Sequence, residues 1–160
     1  MTSLGELSTT AGPVPLRTAS LADLAAIIEL LSDDPLGRDR EQPGQQLAYR
    51  RAFEAIDADP AHLLLVAGRP GEVLATGQLT LLPGLSRGGM LRAQLEAVRV
   101  RADLRGSGLG ASLVGWVVAE ARRRGCGLVQ LTSDKQRADA HRFYLRLGFT
   151  PSHEGFKLTL

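Results

Sequence analysis

Cysteine, lysine and long apolar runs are what this sequence lacks. A single cysteine, Cys126, excludes an intramolecular disulfide, so neither stability nor a secreted life depends on a cysteine framework, and a cytoplasmic setting is the expectation. No stretch approaches the ~20 apolar residues of a membrane-spanning helix. The opening residues, MTSLGELSTTAG, have neither the basic start nor the apolar run of a secretory signal. Positive charge is nearly all arginine, with Lys135 and Lys157 the two lysines, and a net charge of +2 is too mild to point to nucleic acid. The densest basic patch, Arg122 to Arg124, falls where a helix should end, and the helix dipole accounts for it. Neither nucleic acid nor a membrane is therefore expected as a partner.

What is present suffices for one core: 160 residues with 44% apolar content fall within the usual size of a single domain. Residues 1–13, small, polar and patternless, read as a flexible tail, leaving 14–160 as the domain. Val14 to Thr18 reads as a short strand. Ser20 followed by Asp23 resembles a capping box, and Leu24, Ile27, Ile28 and Leu31 repeat at helical spacing, which predicts a helix over 21–31. Tyr49, Phe53 and Ile56 predict a second, closed by Asp59-Pro60. The charged, Gly- and Pro-rich loop between them, Leu36 to Gln46, is a place where a substrate is often met.

Strands follow at His62 to Ala67, Glu72 to Leu82 and Gly89 to Val100. The last breaks its own rhythm. Leu91, Ala93, Leu95 and Ala97 hold the apolar phase at odd positions, and Val98 and Val100 hold it at even ones. Such a slip marks either a β-bulge or a strand end buried on both faces. A helix over 108–124, stopped by Gly125, a strand over 128–132, a short helix carrying Ala140, Phe143, Tyr144 and Leu147 and capped by Gly148, and one or two closing strands within 149–160 complete the chain.

The segment Arg105-Gly106-Ser107-Gly108-Leu109-Gly110 lies between a strand and a helix, where backbone N–H groups and a helix N-terminus converge on an anion. Glycines let the main chain come close to a phosphate, and Arg105 adds a forked cationic donor. The spacing is not G-x-G-x-x-G and opens no βαβ unit, which argues against a dinucleotide fold, and no Gly-Lys-Ser or Gly-Lys-Thr follows to make a P-loop.

Leu95 to Gly110 resembles the central motif of the GNAT superfamily of N-acetyltransferases: Arg or Gln, two residues, Gly, one residue, then Gly or Ala. A second segment, Ala140-His141-Arg142-Phe143-Tyr144-Leu145-Arg146-Leu147-Gly148-Phe149, resembles the family's later helix, with its Tyr and Gly-Phe pair. The resemblance implies an α/β (α+β) fold with a mixed, mostly antiparallel sheet of six or seven strands, helices on both sides and a splayed, bulged central strand. It implies acetyl-CoA as cosubstrate and no metal. Arg105, Gly106, Ser107, Gly108, Leu109 and Gly110 would then hold the pyrophosphate, and Val98, Arg99 and Val100 would line the pantetheine arm, with the main chain of Val98 and Val100 pairing to it. The Val98 N–H would polarise the thioester carbonyl, and Tyr144 would contact the coenzyme sulfur and protonate the departing thiolate.

Amine acetylation needs a neutral nucleophile, whereas an alkylamine with pKa near ~10 is mostly protonated at neutral pH. Glu96, where related sequences carry an acidic base, is the candidate to take that proton; a solvated strand carboxylate is the other reading. Tyr49, His153 and Glu154 are substrate-side candidates. The chain departs from the family at Arg137, where many members carry an Asn that binds the coenzyme arm; Ser133, Asp134 and Asp139 are left to cap the helix or substitute. Cys126, in a Gly-flanked turn, is poorly placed for a covalent intermediate. The expected reaction is acetyl transfer to a primary amine by direct attack in a ternary complex, with a small molecule favoured as acceptor and a homodimer in keeping with family habit. A protein amine as acceptor, or a catalytically inactive acyl-CoA-binding regulatory module, are the alternatives.

Overall fold

A computed structural model describes residues 1–33 and 44–160. It divides into two compact units, Met1–Gln130 and Leu131–Leu160. The first is built on a six-stranded sheet in sequential order: β1 (Ser3–Thr9), β2 (Gly12–Thr18), β3 (His62–Ala67), β4 (Ala75–Leu82), β5 (Arg92–Val100) and β6 (Leu128–Gln130). All neighbours are antiparallel except β5 and β6, which run parallel.

Residues expected as a tail instead form β1 and the turn into β2. An edge strand needs little from its side chains, since main-chain groups supply the ladder, and Leu7 alone in β1 is buried. At the other end, no strand forms in 149–160. Phe156, Leu158 and Leu160 keep the alternation that suggested one, yet all three are exposed. Alternation supplies a face, and a strand also needs a partner edge.

Helices cover both faces of the sheet. A turn of 3-10 helix, Leu21–Asp23, leads into α1 (Leu24–Ser32), and α2 spans Gln46–Ala58. Ile27, Leu30 and Phe53 from these helices bury against Val66, with Leu64 beside them. The long helix α3 (Leu109–Arg123) takes the other face, burying Leu109, Leu113, Val114, Val117 and Ala121. Gly77 of β4 marks that face, because a Cβ there would meet Leu113, Val98 and Leu95. Leu65, opposite Gly77, shares it by register, while Leu64 and Val66 point the other way.

The phase slip in β5 is a bulge. Thr76 pairs with Arg99 and Gln78 with Glu96, so two steps in β4 match three in β5. Ala97 absorbs the extra residue at φ 55°, in the left-handed region where a Cβ costs roughly 1–2 kcal/mol. Ala97→Gly should therefore stabilise by up to about 1 kcal/mol, and Ala97→Val should destabilise by about 1–2 kcal/mol, since branching at Cβ is least tolerated there. Urea unfolding measures both, and a neutral Ala97→Val would count against the strained bulge.

A buried ion pair, not foreseen from the sequence, ties the first unit together. Arg17 and Asp23 bond twice at 2.7 Å, with side chains 5% and 2% exposed. Arg17 also donates to the carbonyls of Gly68 and Arg69, in the β3–β4 turn. Asp23 accepts from the Ser20 N–H and hydroxyl, completing the expected capping box.

The second unit contains α4 (Ala138–Arg146). Asp134 organises the turn before it: its carboxylate accepts from the Gln136 N–H, and its carbonyl accepts from the Arg137 N–H and contacts His141 Nε2. Gly148 ends the helix as expected, with its own N–H and that of Phe149 bonded back to Leu145 and Tyr144.

Candidate active site

The bulge and the glycine turn meet along one edge of β5. Parallel pairing with β6 covers Arg92 to Gln94 and stops there. Beyond Gln94, β5 has β4 on one side and, among the described residues, no strand on the second side. The Arg101 N–H donates to the Leu74 carbonyl, so by alternation the main-chain groups of Val98 and Val100 face away from β4, onto the open edge. Their carbonyls indeed accept from arginine side chains: Arg99 Nη1 reaches Val98 at 2.9 Å, and Arg105 Nε reaches Val100 at 3.3 Å.

Arg105 thus connects the open edge to the turn. Its Nη2 also donates to Asp33, at 2.8 Å to the carboxylate, where α1 ends. This exposed pair is worth at most about 1 kcal/mol, so an arriving anion can displace it at little cost. Gly106 and Gly108 both have φ 85°, a left-handed conformation that glycine adopts without penalty; between and after them the Ser107 N–H donates to the Leu104 carbonyl and the Leu109 N–H to the Ser107 hydroxyl. Gly108 is the N-cap of α3, which has no side-chain cap and no acidic residue in its first turn, leaving its dipole unopposed. Leu109 is buried beneath, and Gly110 lies within the helix.

Two bonds brace the turn from the N-terminal hairpin. The Thr10 N–H donates to the Ser107 carbonyl, and the Ser8 N–H to the Ser112 hydroxyl. These partners, like Asp33, lie far off in the sequence and left no local signal in it.

Glu96 is exposed on β5, opposite Gln78. The bulge puts Arg99 on the same face three residues later, because Arg99 stands opposite Thr76. Polar side chains fill this face: His62 with Thr80, Gln78 with Thr80, and Gln94 with Gln130. The odd-position apolar phase of β5 already implied this row, since it assigns Arg92, Gln94 and Glu96 jointly to the opposite face.

Tyr144 belongs to the second unit, on α4, with edge-on ring contacts to Phe143 and Phe149. His153 contacts its neighbour Ser152, and Glu154 pairs with Lys135; all are exposed. The expected substrate loop lies, over residues 36–43, outside the described residues; Tyr49 is half-buried on α2. Burial pushes the Cys126 thiol up from its ordinary pKa, which leaves it protonated and a poor nucleophile. Among the described residues no cluster of His, Cys, Asp or Glu is arranged to hold a metal, and no helix is long and apolar enough to cross a membrane. A cavity of about 350 Å³, lined by residues including Phe53, Ile56, His62 and Arg124, contains none of the predicted catalytic or cofactor residues.

An open strand edge beside an uncapped, glycine-lined helix N-terminus suits a long ligand with an anionic end. The sequence model of the acetyltransferase (GNAT) family matches residues 24–149. The chain belongs to the GNAT acetyltransferase family. This acyltransferase is 34% identical over 113 residues to the aminoalkylphosphonate N-acetyltransferase of Salmonella typhimurium, covering 71% of this chain and 73% of that one. It is 31% identical over 90 residues to the glucosamine 6-phosphate N-acetyltransferase of Trypanosoma brucei brucei, covering 56% and 59%. Among solved structures, one described as a transcriptional regulator from Bacillus halodurans C-125 superposes on this GNAT chain with a TM-score of 0.88 at 44% identity, over 92% of this chain and 99% of that one.

Proposed function

We propose that this protein transfers the acetyl group of acetyl-CoA to the primary amine of a small molecule by direct attack in a ternary complex. The observation that carries the reading is the unpaired edge of β5 running into the glycine turn, with Arg105 bonded to Val100 between them. In this reading the N–H groups of Gly106, Gly108 and Gly110, with the Arg105 guanidinium and the Ser107 hydroxyl, receive the pyrophosphate over the buried Leu109. The main chain of Val98 and Val100 adds the pantetheine arm as a further strand, with Arg99 alongside. The Val98 N–H polarises the thioester carbonyl as negative charge develops on its oxygen. Glu96 takes the ammonium proton, directly or through water, and Tyr144 protonates the leaving thiolate. The named acceptors of the two relatives, an aminoalkylphosphonate and an amino sugar phosphate, support a small amine over a protein.

Incubation with acetyl-CoA and a broad panel of amines, monitored by free thiol, tests the reaction. Turnover with at least one small amine is expected, and Tyr144→Phe should lower kcat by about 100-fold with coenzyme affinity nearly unchanged. Absence of turnover with every amine would defeat the reading.

The solved relative described as a transcriptional regulator favours a second reading, an acyl-CoA-binding regulatory module. In that case CoA raises the melting temperature while no amine is acetylated and Tyr144→Phe changes nothing.

A further inference from the structure

We infer that the acceptor carries an oxyanion a few bonds from its amine, and that Arg92 is the residue that reads it. The inference rests on the proposed small-amine acetylation and adds the acceptor's chemical class. Its basis is the pairing of the chain's arginines. Arg17, Arg50, Arg101, Arg105, Arg123, Arg124 and Arg142 each contact a carboxylate. Arg92 is half-buried, and among the described residues no carboxylate pairs with it. Nη1 makes one long bond, 3.4 Å, to the neutral amide oxygen of Gln130, and Nε is fully buried with no partner. A buried guanidinium N–H with no acceptor is costly to keep. A ligand that supplies the missing anion would offset that cost.

The position of Arg92 suits that role. It shares a sheet face with Gln94 and Glu96, and the four residue steps from Arg92 to Glu96 span roughly 13 Å between Cα atoms. Two side chains of this reach, with a compact amine between them, fit that distance. The Gln130 amide is held from both sides, donating to Gln94 at 2.8 Å and accepting from Arg92, which fixes the guanidinium rather than neutralising it. Residue 84 is glycine, and a Cβ there would lie 3.6 Å from Arg92 Nη2. The missing side chain leaves that nitrogen uncrowded on this flank. A planar donor fork is well matched to phosphonate, phosphate or carboxylate oxygens.

The experiment compares 2-aminoethylphosphonate, 3-aminopropanoate and propylamine as acceptors, in the wild type and in Arg92→Gln, Arg92→Lys and Gly84→Asp. Binding of ethylphosphonate, which has no amine to acetylate, is followed in parallel by calorimetry with CoA present. One or both anionic amines should exceed propylamine in kcat/KM by roughly 10- to 100-fold, the range of a charge-assisted bond. Arg92→Gln should erase that preference through KM, with kcat changing less than about threefold. Arg92→Lys should restore part of it, which separates lost recognition from lost folding. Gly84→Asp places a carboxylate beside the guanidinium and should mimic Arg92→Gln. Equal use of all three amines, or a loss in Arg92→Gln that is the same for each, overturns the inference while leaving acetylation standing. Ethylphosphonate binding that depends on Arg92, with no amine turned over, sinks the proposed reaction and keeps the anion site.

Discussion

Gly108→Asp should abolish coenzyme A binding and leave the fold intact. Both halves follow from the geometry of one residue. With φ 85°, position 108 penalises any side chain, yet a Cβ there meets no atom within 4 Å, so the cost is conformational only. Aspartate is among the residues that best tolerate the left-handed region, and a carboxylate at the start of α3 interacts favourably with its dipole, which limits the net penalty to about 1 kcal/mol. The same charge stands at the proposed pyrophosphate site, where it repels the two phosphates. Calorimetric titration should show no measurable CoA binding, and thermal unfolding should stay within a few degrees of the wild type. Gly108→Ala, without the charge, should lose much less affinity. A Gly108→Asp protein that binds CoA normally would remove the turn from the site.

The other large effect lies away from the chemistry. Removing one partner of the Arg17–Asp23 pair should cost about 3–5 kcal/mol, because the survivor remains charged and buried. Arg17→Met should be the worse case, since it also abandons the carbonyls of Gly68 and Arg69. A double replacement, Arg17→Met with Asp23→Leu, should recover part of the loss, and the coupling is read from a double-mutant cycle in urea. Additive losses would mean that the pair contributes nothing as a pair. The pair also makes stability depend on acid. Burial by itself raises the Asp23 pKa, but the bonds from Arg17 and Ser20 outweigh it and hold the carboxyl below its ordinary value. A depressed carboxylate stabilises the fold at neutral pH, and this contribution is lost as pH falls from the ordinary carboxylate range through the lower folded-state value. Asp23→Asn should flatten that acid limb of the stability curve.

The sequence disclosed what is local and hid what is remote. The α3 stripe from Leu109 to Ala121, its stop at Gly125 and the Ser20–Asp23 cap depend on residues within a few positions of one another, and they were legible. So was the bulge, once the odd and even phases of β5 were compared, although a strand end buried on both faces fitted the same letters; the pairing of Thr76 with Arg99 and Gln78 with Glu96 decided between them. Arg17 gave no sign of its role, because its acceptors at Gly68 and Arg69 are 51 and 52 residues away. Ser3 to Thr9 was missed because an edge strand is held by backbone, which every residue carries. The closing segment failed in the opposite sense: Phe156, Leu158 and Leu160 have a strand's rhythm, yet they pair with no strand and are exposed. At the candidate site, the glycine turn was visible as a motif, while Asp33 beneath Arg105 and the hairpin bonds to Ser107 and Ser112 became visible only in three dimensions.

Chain length itself is a variable here. Between its pairings with Gln78 and Thr76, β5 is one residue longer than β4, and the surplus is Ala97. Deleting that residue would make the two strands equal in count, and a ladder of equal rungs has no cause to bend. The shortened protein would have a better-paired, more regular sheet, with β5 straightened along the edge it now leaves open. In this stretch a one-residue deletion is therefore a larger change than most substitutions: it would preserve every side chain that has a proposed chemical task and remove the curvature that arranges them.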